Sequence, residues 1–525
     1  MRSSSEFAQR DPAGQAPAWR RAGLSERALA LLAIAALTLI SRAWVFGDPL
    51  IHVDEQFYLL VGHRMVAGDL PYVDIFDVKP IGLFLIYAFA DLVFPDSITG
   101  YQILAALSVA LTAFILFGAA RRVASFAAAL GGACAYIAWL TVFEGIGGQS
   151  PVFYNLPMAA GAALLLRAIG RADARYLSRR GAAIMLLAGI AIQIKYPAVF
   201  EGVFFGLALL WIGHRRGRRF GRLAADAALW VGCALAPSLA ALLAYAALGH
   251  AGPFIQDNFV SIFGRQTDGG QSLMAFVRLA EQMLALSPFW LCAAITVRRV
   301  RSPGLAGRPE VVGMLAWAGA ALIGYLPAGT WSEHFVLPLL SPLSLLGAVA
   351  CDGVANRKGA IARLVGIGLI AGFGRSACEV ATEGNARDAQ RIANLVTPYL
   401  HDGGCLYVVN APPSLYLLTH SCLLTRYAFP SHLLSQKYAP TLGSDATAEM
   451  RRLLRRKPAV IVMGRPYANP NRVNQRLLDA ELRLHYRQLT AAHVGVRPLA
   501  IWVRQPELRA LPSAPAAAPS SSKAG

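Results

Sequence analysis

Nine ionisable side chains (His52, Asp54, Glu55, His63, Arg64, Asp69, Asp74, Asp77 and Lys79) crowd into 28 residues of a 525-residue chain that is only 15% charged. Phe57, Tyr58, Tyr72 and Phe76 are interleaved with them. Adjacent carboxylates such as Asp54 and Glu55 allow general-base chemistry on a hydroxyl, or help to hold a metal ion that does the same work. Acidic residues also suit the first turn of a helix for capping and dipole reasons, so residue type alone leaves both readings open. Asp77, Lys79 and Pro80 form a second element. A lysine beside aromatics suits a phosphate group, and it equally suits snorkelling at a helix start with proline in the first turn.

Three segments farther along join this set. Lys195 interrupts an apolar stretch in AIQIKYPAVFEG, where an ionisable side chain is costly and more often functional than decorative. Arg265 lies in a polar segment, 249–272, that also holds Asp257, Asn258 and Asp268. WSEHF places Glu333 and His334 at the mouth of another apolar run. No Gly-rich phosphate loop or dinucleotide fingerprint is present, so a soluble nucleotide donor at this site is unsupported. Energy for any group transfer would then come from an activated, membrane-resident donor.

The elements that must position these residues are membrane helices. With 56% hydrophobic residues and apolar runs near bilayer length, the chain reads as a polytopic α-helical membrane protein. Eleven spans are expected, at about 27–47, 99–120, 123–143, 152–169, 181–194, 198–213, 223–248, 274–297, 311–328, 335–351 and 360–375. The formal charge of +19 reflects topology rather than nucleic-acid binding. From a cytoplasmic N-terminus, eleven crossings put every strongly basic connection inside, including HRRGRRFGR and RRVRSPGLAGR. The apolar run 81–94 is too short to cross and would invert that pattern if it did, so it reads as a juxtamembrane helix. The first external loop then spans 47–98. The leader, 1–26, reads as disordered, ahead of an uncleaved anchor. From 376 to 511, helix-length patterns (386–400, 446–456, 472–489) alternate with strand-length ones (405–410, 459–463, 499–505). This predicts a small α/β extracytoplasmic domain, followed by a disordered tail from 512 to 525. The seven cysteines have no metal-type spacing; Cys405 and Cys422 are the two that could pair in an oxidising compartment, with free thiols the alternative.

The run HVDEQFYLLVGHRMVAGDLPYVDIFDVKPIGLFLIY resembles the first external loop of integral-membrane GT-C glycosyltransferases of the protein O-mannosyltransferase and aminoarabinose transferase (ArnT-like) type. The resemblance lies in the acidic pair Asp54-Glu55, Tyr58, Gly68, Pro71-Tyr72, and Asp77 with Lys79-Pro80. IKYPA around Lys195, SEHFVLPLLSPLSLL from Ser332 and LTRYAFPSHLL (424–434) extend it over nearly the whole chain from about residue 28. It implies inverting transfer of a sugar from a polyprenyl-phosphate donor to a lipid, glycan or protein acceptor at the outer face of a bacterial cytoplasmic membrane. In that scheme Asp54, with Glu55, is the base or acceptor-orienting carboxylate. Lys79, Lys195 and Arg265 hold the donor phosphate, while Tyr58, Tyr72, Asp77, Glu333 and His334 contact substrate. Two positions depart from the pattern. Glu144 in EGIGGQSPVFYN is off the usual acidic position of the second external loop, and Val78 separates Asp77 from Lys79. A divalent metal ion is therefore left open. The rival readings are a transporter or flippase of lipid-linked sugars, which should show paired broken helices in two related halves, and a binding protein acting through its C-terminal domain.

Overall fold

The computed structural model describes residues 25–95, 98–169, 176–264, 269–301 and 308–505. Arg265, most of the leader and the whole expected tail lie outside the described residues. The protein is a multi-pass helical membrane protein with a small sheet near its C-terminus. Among the described residues, eight helices are long and apolar enough to cross a bilayer, and the pair Leu273–Ala285 and Ser287–Val300, bent by 58°, makes a ninth. Leu177–Ile192 and Pro309–Tyr325, of 16 and 17 residues, occupy the two remaining places in the expected order of eleven. Ile81–Val93 has 13 residues, about 20 Å of helix against about 30 Å of hydrocarbon, and packs on the neighbouring helix Val53–Val66. Phe220–Ala247 buries little beyond Asp226, Trp230 and Tyr245, leaving Leu229, Leu235, Leu239 and Leu243 for lipid.

Basic residues fasten one end of this bundle. Arg121 pairs with Glu26 at 3.0 Å, Arg122 with Glu310 at 3.6 Å and Arg357 with Asp352 at 2.9 Å. These are the helix ends that the charge pattern assigns to the cytoplasm. The ionisable cluster of the first loop lies at the opposite end of the same helices.

The last membrane helix extends past the start of the expected C-terminal segment. Arg357–Glu383 runs without a break past residue 376, and the chain turns only at Gly384, whose φ of 89° an L side chain rarely adopts. Beyond it, four strands are ordered β1-β2-β4-β3: β1 Leu406–Val409, β2 Val460–Met463, β3 Tyr486–Val494 and β4 Arg497–Arg504. β1 and β2 are parallel, with Leu406 beside Val460; β4 returns antiparallel to β2 and pairs with β3 as a hairpin. The helix expected over 472–489 ends at His485, because Tyr486–Val494 is a strand. Its hairpin turn contains Gly495 at φ 55°, and pairing with β4 outweighs the helical pattern that continues into YRQL. Cys405 and Cys422 are joined by a disulfide, Cα to Cα 5.2 Å.

The domain is seated directly on the first loop. Phe76 leaves the loop to join the domain core with Tyr427, Leu433 and Leu434, and its N–H donates to the Arg426 carbonyl at 2.8 Å. Arg426 in turn pairs with Asp257 and donates to the Tyr72 carbonyl at 2.6 Å. Ser414 donates through its hydroxyl to Gln56 Oε1 at 2.9 Å, tying the domain to the helix that carries Asp54. The disulfide closes a loop of 17 residues, which constrains the unfolded domain. Replacing both cysteines by serine should cost about 3 kcal/mol. Proteolysis of residues 384–505 at a lower denaturant concentration would show this; unchanged resistance would mean the bond contributes nothing.

Candidate active site

Asp54 and Glu55 open the helix Val53–Val66, whose N-cap is His52: the ring Nδ1 accepts from the Asp54 N–H at 3.2 Å. Successive helical residues point about 100° apart, so the two carboxylates separate. Asp54 is part-exposed and lines a cavity; Glu55 is fully buried and accepts from the Gly148 N–H at 2.6 Å. The glycine loop is held from below by Arg42, which donates to the Gly145 and Gly147 carbonyls at 2.6 and 2.5 Å. Gly147 passes so near that a Cβ there would lie 2.0 Å from Glu55 Oε2, which explains the glycine.

Two cavities share Asp54, and a third, separate one holds Lys195. A cavity of about 380 Å³ is lined by His52, Asp54, Glu144 and His334 from the membrane part, and by Asn410, Tyr438, Tyr467 and Arg497 from the domain above. A small one of about 40 Å³ joins Asp54 to Asp77 and Lys79 beneath Phe429 and His432. The third, about 130 Å³, is mostly apolar and lined by Tyr154, Lys195, Glu201, Tyr325 and Phe335. Lys195 is 6% exposed and its Nζ lies 4.3 Å from the Phe335 ring centroid. Lys79 Nζ lies 5.5 Å from the Tyr58 centroid.

Electrostatics distinguish the carboxylates. Burial alone would raise the Asp54 pKa, but Lys79 first, then His52, His334 and Lys195, outweigh it and hold the group below the ordinary range. Glu55 goes the other way: burial raises it to about 7, despite His52, the Gly148 N–H and Arg42. Glu144 is held well below the usual range: burial opposes ionisation, and its bonds to His334 and His52 more than offset it. The same contact, with the charges of Asp54, Glu144 and Glu55, raises His52 to about 10 against its desolvation.

The other expected residues fall into distinct places. Tyr72 is fully buried at φ 67°, and its phenol donates to the Lys79 carbonyl at 2.6 Å. Asp77 Oδ1 accepts from the N–H groups of Val78 and Lys79 at 2.5 and 2.9 Å. Both therefore fix the backbone that presents Lys79. Tyr58 is buried against Phe84 and Tyr87, while Glu333 pairs with Arg375 at 2.9 Å outside the larger cavity. Sequence reasoning passed over Arg42 and Arg375, and set Glu144 aside as an off-pattern acid. Glu144 accepts from or bonds His334 Nδ1 at 2.9 Å, lies 3.5 Å from His52 Nε2, and has Arg375 3.9 Å away. Its signal was a lone acid opening the glycine run EGIGG. His52, Glu144 and His334 are the described residues able to hold a metal ion, their ligand atoms all lying within 4.8 Å of one another.

No family model matches the sequence, and no curated protein matches it. The structure is similar to the crystal structure of ArnT from Cupriavidus metallidurans bound to undecaprenyl phosphate, with a TM-score of 0.62 and 16% identity over 90% of this chain and 97% of that one. The apo state of the same protein gives 0.59 and 15% over the same shares. At this identity the likeness establishes a shared fold.

A raised carboxyl pKa has a defined consequence. Between about 4.5 and 7 the folded protein binds a proton at Glu55 that the unfolded chain releases, so this group's contribution falls as pH rises through that window. Glu55→Gln should therefore gain up to about 2–3 kcal/mol relative to wild type at pH 8 and nothing at pH 4. Thermal melts in detergent across this range test it; a pH-independent difference would assign the Glu55 charge no role in stability.

Proposed function

We propose that this protein is a glycosyltransferase that moves a sugar from a polyprenyl-phosphate-linked donor to an acceptor at the outer face of a bacterial cytoplasmic membrane. One observation carries the reading: Asp54 opens both onto a polar cavity roofed by the C-terminal domain and onto the small cavity that reaches Lys79, and against burial the charges of Lys79, His52, His334 and Lys195 hold it below its ordinary range. The shared fold supports it, since the ArnT structure holds undecaprenyl phosphate. The disulfide supports the external face, because such bonds persist in oxidising compartments.

The donor lipid enters through the apolar cavity beside Lys195, and the acceptor through the larger polar one. Asp54 orients the acceptor hydroxyl and takes its proton as the oxygen bonds to the anomeric carbon. The bond from that carbon to the donor phosphate oxygen breaks on the opposite face, inverting the centre, and the phosphate leaves with the electron pair. Lys79 and Lys195 stabilise that charge as it develops. Glu55, Tyr72 and Asp77 position these groups, and Glu333 holds Arg375 at the rim. His334 lines the acceptor side. Arg265 is proposed as a further phosphate ligand on the resemblance alone.

Asp54→Asn should lower kcat by about 10²–10⁴ with unchanged expression and elution. Near-normal turnover would remove Asp54 from the chemistry. Lys79→Ala and Lys195→Ala should each lower kcat/KM for the donor about 10- to 100-fold, the worth of a charge-assisted bond to phosphate. Transfer in detergent from a synthetic short-chain donor would separate an enzyme from a transporter.

A further inference from the structure

We propose that His52, Glu144 and His334 bind one divalent transition-metal ion, with Zn²⁺ the best fit, whose open coordination position faces the cavity lined by Asp54. The three residues come from three separate segments and line one wall of that cavity. Two imidazoles and one carboxylate without a thiolate are a zinc-type donor set, and three protein ligands leave a fourth position open. Tetrahedral bonds of 2.0–2.2 Å require ligand atoms about 3.3–3.6 Å apart. Glu144 Oε2 already lies 2.9 Å from His334 Nδ1 and 3.5 Å from His52 Nε2. Arg375 approaches the other oxygen, Oε1, at 3.9 Å and leaves Oε2 to the cluster.

Two further observations point to a ligand there. Glu144 adopts a left-handed backbone at φ 58°, a conformation costly for a residue with a Cβ and set in a loop otherwise rich in glycine. Beside it, Gln149 lies 2.6 Å through Nε2 from His52 Nδ1, while its own Oε1 is fully buried with no hydrogen-bond partner. Rotating that amide gives Nδ1–H an acceptor, at the expense of the long Asp54 N–H contact, and frees the Nε2 lone pair for a metal. An oxygen acceptor on the far nitrogen of a ligating histidine is the usual outer support of such a site, and the Gln149 amide oxygen would supply it here.

When bound, such an ion makes an oxygen ligand more acidic, and beside Asp54 that oxygen would be the acceptor hydroxyl. This role rests on the transfer reading; the presence of the ion does not. The full-length protein, purified in detergent without chelator or a metal-affinity step, is expected to carry about one zinc per chain by elemental mass spectrometry. Glu144→Gln and His334→Ala should lose it, Asp54→Asn should keep it, and Gln149→Ala should weaken it about 10- to 100-fold. Wild-type protein stripped and reloaded with Co²⁺ alone should show the visible bands of a four- or five-coordinate site, a readout independent of whether the variants fold. Zinc retained equally by wild type, Glu144→Gln and His334→Ala, or wild type that takes up neither metal, would overturn the site. Wild-type protein that binds no metal yet transfers sugar would do so too, and would leave the transfer reading standing. A metal-loaded protein without transfer activity would do the reverse.

Discussion

A buried guanidinium holding a glycine loop underlies the rest of this architecture. Arg42, 1% exposed at the end of the first membrane helix, donates to two carbonyls of the loop 145–148, and that loop then gives its Gly148 N–H to Glu55. Three segments far apart in sequence are thereby set in one register. The helix Val53–Val66 starts where this grip places it, and the orientation of Asp54 follows from that start. Removing the arginine would leave two buried carbonyls without their donor, a cost of about 1–3 kcal/mol each.

One helical step converts the acidic pair into two different devices. The inward member is insulated among Arg42, Tyr101 and glycine backbone and spends its hydrogen bond on the loop. The outward member sees Lys79, His52, His334 and Lys195 across open space and stays charged. Chemically identical functions are driven in opposite directions by their surroundings.

The C-terminal domain acts as a roof rather than an appendage. Phe76 is part of its core, Arg426 bridges it to Asp257 and Tyr72, and Ser414 bonds Gln56. The backbone that presents Lys79 is thus braced from below by Tyr72 and Asp77 and from above by the domain. Such bracing fixes the charged groups that line the cavities.

Local patterns determined much of this protein. Apolar run length specified the helices, because the bilayer imposes it directly on sequence. The density of ionisable groups between His52 and Lys79 marked the loop that lines the cavities. Tertiary structure alone decided which side chains face one another. Glu144 reads as an off-pattern acid in a glycine run, and its partners His52 and His334 lie 92 and 190 residues away. Pairing of that kind depends on helix packing, which no local period encodes. β3 was obscured for a similar reason: its strand state comes from pairing with β4, across a turn that helical periodicity does not register.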